Sequence, residues 1–266
     1  VMPSDGEIWI GEENATHKPP YERDIGMVFQ NYALFPHMTV AGNVAFPLRM
    51  RRVAEADITK RVAAALELVR LPQMGERFPR QLSGGQQQRI ALARALVFNP
   101  SVLLMDEPLG ALDKKLREHV QFELKQLQTS LNITVLYVTH DQDEALTMSD
   151  RICLMRDGRI EQLGTPHELY HQPRSHFAAD FLGESNFLPV NGSLLMVRPE
   201  AVAFAESGVD GTIAQMTFMG GVTRYVVKLD QGHEVVVKRL NHSAVEQRAV
   251  GDRVTLRWET ADSVVI

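Results

Sequence analysis

Apolar residues recur along the chain with two distinct periods. Ile58, Val62, Leu66 and Val69 fall at helical spacing, and residues 38–98 read as mostly helical. Ser83 precedes Gly84-Gly85, and a long helical stretch over 86–98 then stops at Asn99-Pro100. Leu116, Val120, Leu124, Leu127 and Leu131 form a second helical stripe. Between these helices lie apolar runs too short to be helical. Residues 23–30 read as a buried strand ending in Gln30, 101–105 as a central parallel strand, and 133–138 as a β-branched strand running into Thr139-His140. A helix restarts over 143–148, and strands over 151–155 and 159–163 flank Asp157-Gly158. Helix and strand in alternation predict an α/β domain built on a parallel sheet.

The texture changes near Gly183. Short alternating strands are predicted over 193–197, 212–217, 223–229, 233–237 and 253–258. Turn signals separate them: Asn191-Gly192, Asp210-Gly211, Gly220-Gly221, Asp230-Gln231-Gly232 and Gly251-Asp252. This spacing suggests a small all-β barrel. The expected domains are therefore 1–185 and 186–266. The chain opens on Pro3-Ser4-Asp5-Gly6, turn chemistry that leads into the strand-like Glu7-Ile8-Trp9-Ile10. That abrupt start reads either as a short disordered lead or as a cut within a fold.

Composition narrows the classes. The chain has 266 residues, 44% hydrophobic and 23% charged, which is globular rather than disordered. Its 28 Lys+Arg against 33 Asp+Glu give a net charge of −5, which argues against a binder of nucleic-acid backbones. The β-rich segment has no basic excess either, so no nucleic-acid partner is expected. The lone Cys153 excludes an internal disulfide, fits a reducing compartment and is expected to be an inert buried thiol. No apolar run approaches the roughly 18 residues of a membrane span, and no basic-then-apolar leader opens the chain. Contact with a membrane is therefore expected only at its surface.

Four short segments carry candidate chemistry. Ser83 at a helix N-terminus, followed by two glycines, presents backbone N–H groups and a positive dipole end to which a phosphate has close access. The same residues also suit an ordinary N-cap. Val102-Leu103-Leu104-Met105 ends in Asp106-Glu107, and paired carboxylates at the end of a parallel strand suit metal and nucleotide chemistry. The plain alternative is a strand running into a polar turn at Pro108. His140 and Gln30 each follow an apolar strand, and each alone is uninformative. His167, His171 and His176 offer zinc-ligand spacing at only two positions, so a solvated face is expected there.

Taken in order, these segments resemble the ATP-binding-cassette (ABC) transporter ATPases over residues 1 to about 183. Gln30 resembles the Q-loop, Ser83-Gly84-Gly85-Gln86 the signature motif, and Met105-Asp106-Glu107 the Walker B strand. Leu112-Asp113 resembles the D-loop and His140 the H-loop. Gly164-Thr165-Pro166 and 181–186 resemble the lead into the oligonucleotide-binding-like TOBE domain of one importer subgroup. That subgroup imports polyamines, iron(III), sulfate, sugars and related solutes, and the polyamine (putrescine and spermidine) or iron(III) members stand nearest.

The resemblance implies a P-loop-NTPase-like cassette with a helical subdomain at about 38–98, followed by an OB-like TOBE domain. It implies ATP and Mg2+ as cofactors. Glu107 would activate water, with His140 and Gln30 beside the γ-phosphate. Asp106 and Gln30 would support the metal. Ser83, Gly84, Gly85, Gln86 and Asp113 would complete the nucleotide site across a head-to-tail dimer of two ATPase subunits. Leu34, Phe35 and Pro36 would line a groove for membrane-spanning permease subunits, and an extracytoplasmic solute-binding protein would act indirectly. The place of work would be the cytoplasmic face of the membrane, peripherally. The family's phosphate loop, G-x-x-x-x-G-K-[ST], does not occur in this sequence, so the chain is expected to be incomplete at its N-terminus. The alternative reading is a catalytically inactive cassette fragment or a regulatory binding module.

Overall fold

The computed structural model describes residues 3–110, 114–190, 192–241 and 248–266. Two compact units divide the chain, Val1–Asp141 and Gln142–Ile266. The boundary expected near residue 185 falls inside the second unit.

The first unit is built on three parallel strands in the order β3-β4-β5. A small hairpin precedes them, β1 (Trp9–Ile10) with β2 (Glu13–Asn14). Then come β3 (Ile25–Val28), β4 (Val102–Asp106) and β5 (Thr134–Val138). The strand expected to end at Gln30 stops at Val28, the last residue paired with β4. Parallel neighbours need long crossovers. The first crossover holds α1 (Val40–Met50), α2 (Glu55–Leu68) and α3 (Gly84–Leu96), and the second is α4 (Lys114–Leu131).

The three helices of the first crossover share one core of Val44, Leu48, Ile58, Leu66, Ile90 and Ala93. Thr39 caps α1, its Oγ1 accepting from the Gly42 N–H at 3.1 Å. Asn43 is fully buried yet satisfied. Its amide donates to the carbonyls of Phe35, Met38 and Thr39 and accepts from the Phe35 N–H at 2.8 Å. It thereby ties the chain before α1 to that helix. Gly26 lets β3 lie against α3, since a Cβ there would stand 2.5 Å from the Ala95 carbonyl oxygen.

The second unit begins with α5 (Gln142–Met148) and the hairpin β6 (Ile152–Arg156) with β7 (Arg159–Gly164). Cys153 is exposed on β6, contrary to the buried thiol expected. The hairpin is only two strands wide, and alternation puts Ile152 and Leu154 into the core and the thiol outward. Two short helices follow, α6 (Pro166–His171) and α7 (His176–Phe181).

The β-rich remainder has two antiparallel sheets. One is β12-β11-β10-β13 and the other β14-β9-β8. Their strands are β8 (Asn186–Val190), β9 (Ser193–Val197), β10 (Ala203–Phe218), β11 (Val222–Leu229), β12 (Glu234–Leu240), β13 (Arg253–Arg257) and β14 (Ser263–Val265). Both sheets line one core, which includes Leu188, Val197, Ile213, Val227, Val235, Val237 and Leu256. Asp210-Gly211, expected as a turn, lies inside β10. The strand bends instead at Gly208, where φ is +152° and a Cβ would meet the Leu256 carbonyl oxygen at 2.2 Å.

Arg198, 3% exposed, joins α6 and α7 to this barrel-like part. Its guanidinium donates to the carbonyls of Tyr170, Ala179 and Gly183 and to the Ser185 Oγ. Glu184 adds a second link through Arg224, with bonds of 2.6 and 3.0 Å, and through Lys238 at 3.1 Å.

The Arg224 hydrogen bonds hold the Glu184 carboxyl below its ordinary range, with Lys238 adding to the effect. A folded-state pKa below the unfolded one gives stability that is present above the unfolded value and lost as pH falls through the folded one. Glu184→Gln should therefore cost about 1–2 kcal/mol at pH 7. The difference from wild type should vanish once the solution is acidic enough to protonate Glu184 in the folded protein. Chemical denaturation of both proteins across that pH range checks this.

Candidate active site

In a parallel sheet the C-terminal strand ends share one edge, where ligands collect. Here Val28 pairs with Met105, and Asp106 pairs with Val138. Gln30 therefore lies two residues past the end of β3, Glu107 one past β4, and His140 two past β5. Register alone brings three residues that are far apart in sequence to one edge.

Glu107 is where they meet. Its backbone N–H donates to the Val138 carbonyl at 2.9 Å, and its φ is +42°. A non-glycine residue in that left-handed region carries a cost of about 1–2 kcal/mol. The turn places the side chain between its neighbours. The Gln30 Nε2 donates to Glu107 Oε2 at 2.9 Å, and the His140 Nδ1 lies 2.9 Å from Glu107 Oε1. One carboxylate thus takes a partner from each flanking strand end. The Glu107 side chain is 29% exposed while His140 is 75% exposed, so the cluster opens to solvent on the histidine side.

Both flanks of His140 are held. The Asp141 N–H donates to the Thr139 Oγ1 at 3.0 Å, and the Asp141 carboxylate takes the Arg117 guanidinium at 2.9 Å. Arg117 and Asp141 carry no sequence signal of their own, being an ordinary helix cation and an ordinary loop acid.

Ser83, Gly84, Gly85 and Gln86 form a second, separate feature. Ser83 is the N-cap of α3, with its Oγ accepting from the Gln86 N–H and its own N–H donating to Gln86 Oε1 at 2.9 Å. The Gln86 side chain is thus engaged in the cap. Gly84 and Gly85 hold the first two helical positions, whose N–H groups have no intrahelical acceptor. Ser83 and Gly84 are exposed, and Gly85 is buried. Among the described residues, no hydrogen bond joins this turn to the Glu107 cluster. Asp113 lies outside the described residues.

Magnesium, which the fold implies, favours a few oxygen ligands completed by water and substrate phosphates. The donors present fit that preference. Asp106 stands exposed at the end of β4, and the Gln30 amide gives its nitrogen to Glu107, which leaves its oxygen outside that bond. Among the described residues no group of three or more His, Cys, Asp or Glu side chains is arranged to hold a metal. His167 and His171 have ring centroids 4.4 Å apart, while His176 stacks on Phe187 at 3.9 Å.

An exposed helix N-terminus, a carboxylate pair closing a central parallel strand and a histidine at the next strand end are the arrangement that nucleotide hydrolysis uses. Comparison with known proteins agrees. The family model described as ABC transporter matches residues 1–110, and the TOBE domain model matches 195–266. The chain is 45% identical to the spermidine/putrescine import ATP-binding protein PotA of Thermobifida fusca, covering 99% of this chain and 79% of that protein. It is 43% identical to proteins of the same name from Bacillus cereus and Frankia alni, over 99% of this chain and 83% and 67% of theirs. The chain belongs to the ABC transporter family, as an ATP-binding and ATP-hydrolysing subunit that carries a C-terminal TOBE domain. Among the described residues no helix is long and apolar enough to cross a membrane.

The left-handed backbone at Glu107 has a measurable signature. Glycine adopts φ > 0 without steric cost, whereas alanine does not. Glu107→Gly should therefore be at least as stable as Glu107→Ala, by up to about 1 kcal/mol, despite glycine's greater freedom in the unfolded chain. Thermal melts of the two variants check this.

Proposed function

We propose that this chain drives import of polyamines of the putrescine and spermidine type, coupling ATP hydrolysis to the movement of permease subunits at the cytoplasmic face of the membrane. The observation that carries the catalytic part is the shared carboxylate, Glu107 held by Gln30 and His140. The solute assignment rests on relatives named for spermidine/putrescine import that align over 99% of the chain.

In this reading the Glu107 carboxylate accepts a proton from the attacking water, which makes it the general base. His140 directs its ring nitrogen along the same carboxylate and faces solvent where the γ-phosphate would lie. Gln30 orients Glu107 from the other side and senses whether the site is filled. Asp106 and the Gln30 oxygen would hold Mg2+, which supplies charge neutralisation at the β- and γ-phosphates. Gly84 and Gly85 offer N–H groups that have no intrahelical acceptor, and with the Ser83 hydroxyl and the helix dipole they would receive the nucleotide of a second copy. Their separation from Glu107 within one chain supports head-to-tail pairing, in which each chain completes its partner's site. Asp113 would stand at that interface. Leu34, Phe35 and Pro36 present a surface to the permease, with Leu34 anchored on the helical core and Pro36 exposed. A solute-binding protein outside the membrane would set the solute without touching this chain.

The test uses the protein as its gene encodes it, assembled with its membrane subunits. Glu107→Gln should lower ATP turnover by about 100-fold or more while nucleotide binding persists. Mixing Glu107→Gln with Ser83→Arg subunits should regain turnover, because one site of the mixed pair keeps both Ser83 and Glu107. Undiminished turnover in Glu107→Gln, or a mixed pair as inactive as either parent, would contradict the assignment. Uptake of labelled putrescine or spermidine into proteoliposomes tests the solute.

A further inference from the structure

α3 carries a cation on its buried side. Arg94 is 9% exposed, and burial pulls its pKa down from the ordinary arginine range. Its fork is spent on two consecutive backbone carbonyls far away in sequence. Nη1 donates to the Ala33 oxygen at 2.7 Å and Nη2 to the Tyr32 oxygen at 2.8 Å. The same guanidinium stands 5.6 Å from the centre of the Phe35 ring.

The two acceptors belong to a loaded turn. Tyr32 has φ +61° and Ala33 φ +44°. Two successive non-glycine residues in the left-handed region cost about 1–2 kcal/mol each. Tyr32 is 6% exposed, and its hydroxyl is buried without a hydrogen-bond partner. A conformation this strained persists only where its surroundings impose it. Arg94 does so with two charge-assisted bonds, which are stronger than neutral ones.

The position of this clamp gives it a role. On one side of the turn is Gln30, which touches the Glu107 carboxylate. On the other are Leu34, Phe35 and Pro36. Arg94 itself rides on the helix whose first turn is Gly84-Gly85. A helix transmits displacement along its length as a rigid rod, and ten residues span about 15 Å.

We propose that Arg94 is a positioning residue that couples α3 to the turn after Gln30, so that movement of the signature turn is delivered to the Leu34–Phe35–Pro36 surface. This deepens the energy-coupling role proposed above and rests on it. The arginine was not legible as functional in the sequence, where it reads as one polar position in an apolar helix. Only the fold shows that it points at strained backbone.

The experiment compares wild type, Arg94→Lys and Ala33→Val in the native transporter complex. Lysine keeps the charge but lacks the fork. Valine at 33 is exposed, so the core is spared, but its branched side chain opposes φ +44°. Each variant should raise amide exchange at residues 32–35 by about tenfold or more while leaving residues 88–93 unchanged. Each should also keep the KM for ATP and lower the solute moved per ATP hydrolysed by roughly threefold or more. A merely structural role would lower hydrolysis and transport in proportion, and that unchanged ratio would overturn the proposal. Unchanged exchange at 32–35 in both variants would overturn it as well. If Arg94→Lys does not fold, Ala33→Val decides alone. Wild-type complex that hydrolyses no ATP would sink the functional reading instead, and the exchange data would still judge the clamp.

Discussion

Glu107 turns into a left-handed conformation at the end of β4, and its carboxylate then receives Gln30 from one side and His140 from the other. The rest of the ATPase unit can be understood from what that contact requires. The three residues lie at positions 30, 107 and 140, and only a parallel sheet with β4 at its centre brings all three to one edge. Parallel pairing in turn demands long crossovers. The first of them holds the helix that starts at Gly84 and, ahead of α1, the segment of Leu34, Phe35 and Pro36. The strain at Glu107 is the local cost of placing its carboxylate between two neighbours.

The signature turn follows a different logic. It exposes N–H groups at the start of a long helix, with the capping side chains already engaged with each other. Among the described residues of the first unit no hydrogen bond joins it to the Glu107 cluster, which opens to solvent on the His140 side. In the proposed head-to-tail pair each chain would complete its partner's site. The Arg94 clamp gives the same helix a second output at its far end. In the proposed scheme nucleotide contact and mechanical coupling would share one helix, α3.

Much of the site was legible because its chemistry is local. A serine before two glycines at a helix start reads as a cap, and the structure has Ser83 capping α3; the phosphate contact is the proposed part, on the same unpaired N–H groups. A buried apolar strand that stops at two carboxylates marks the end of a central strand. What escaped the sequence depended on tertiary context. Cys153 sits in an apolar run, but a two-stranded hairpin has one open face, and alternation turned the thiol to it. Asp210-Gly211 looks like a turn, yet Gly208 takes the bend and the strand continues for 16 residues in all. Gln30 lies past its strand because pairing ends at Val28. β8 and β14 escaped notice because their pattern is short and weak, and they gain definition only by pairing with β9. Arg94 and Asn43 were hidden in apolar helices, since sequence gives no hint of which carbonyls a buried donor will find.

The central claim is that Glu107 is the hub through which Gln30 and His140 act. A double-mutant cycle on ATP turnover in the native complex tests it most directly. Gln30→Ala and His140→Ala are each measured in the wild-type and the Glu107→Gln backgrounds. If both act through the carboxylate, each should cost about tenfold or more in the wild-type background and less than about twofold once Glu107 is gone. Losses of equal size in both backgrounds would show that Gln30 and His140 work independently of Glu107, and would contradict the account.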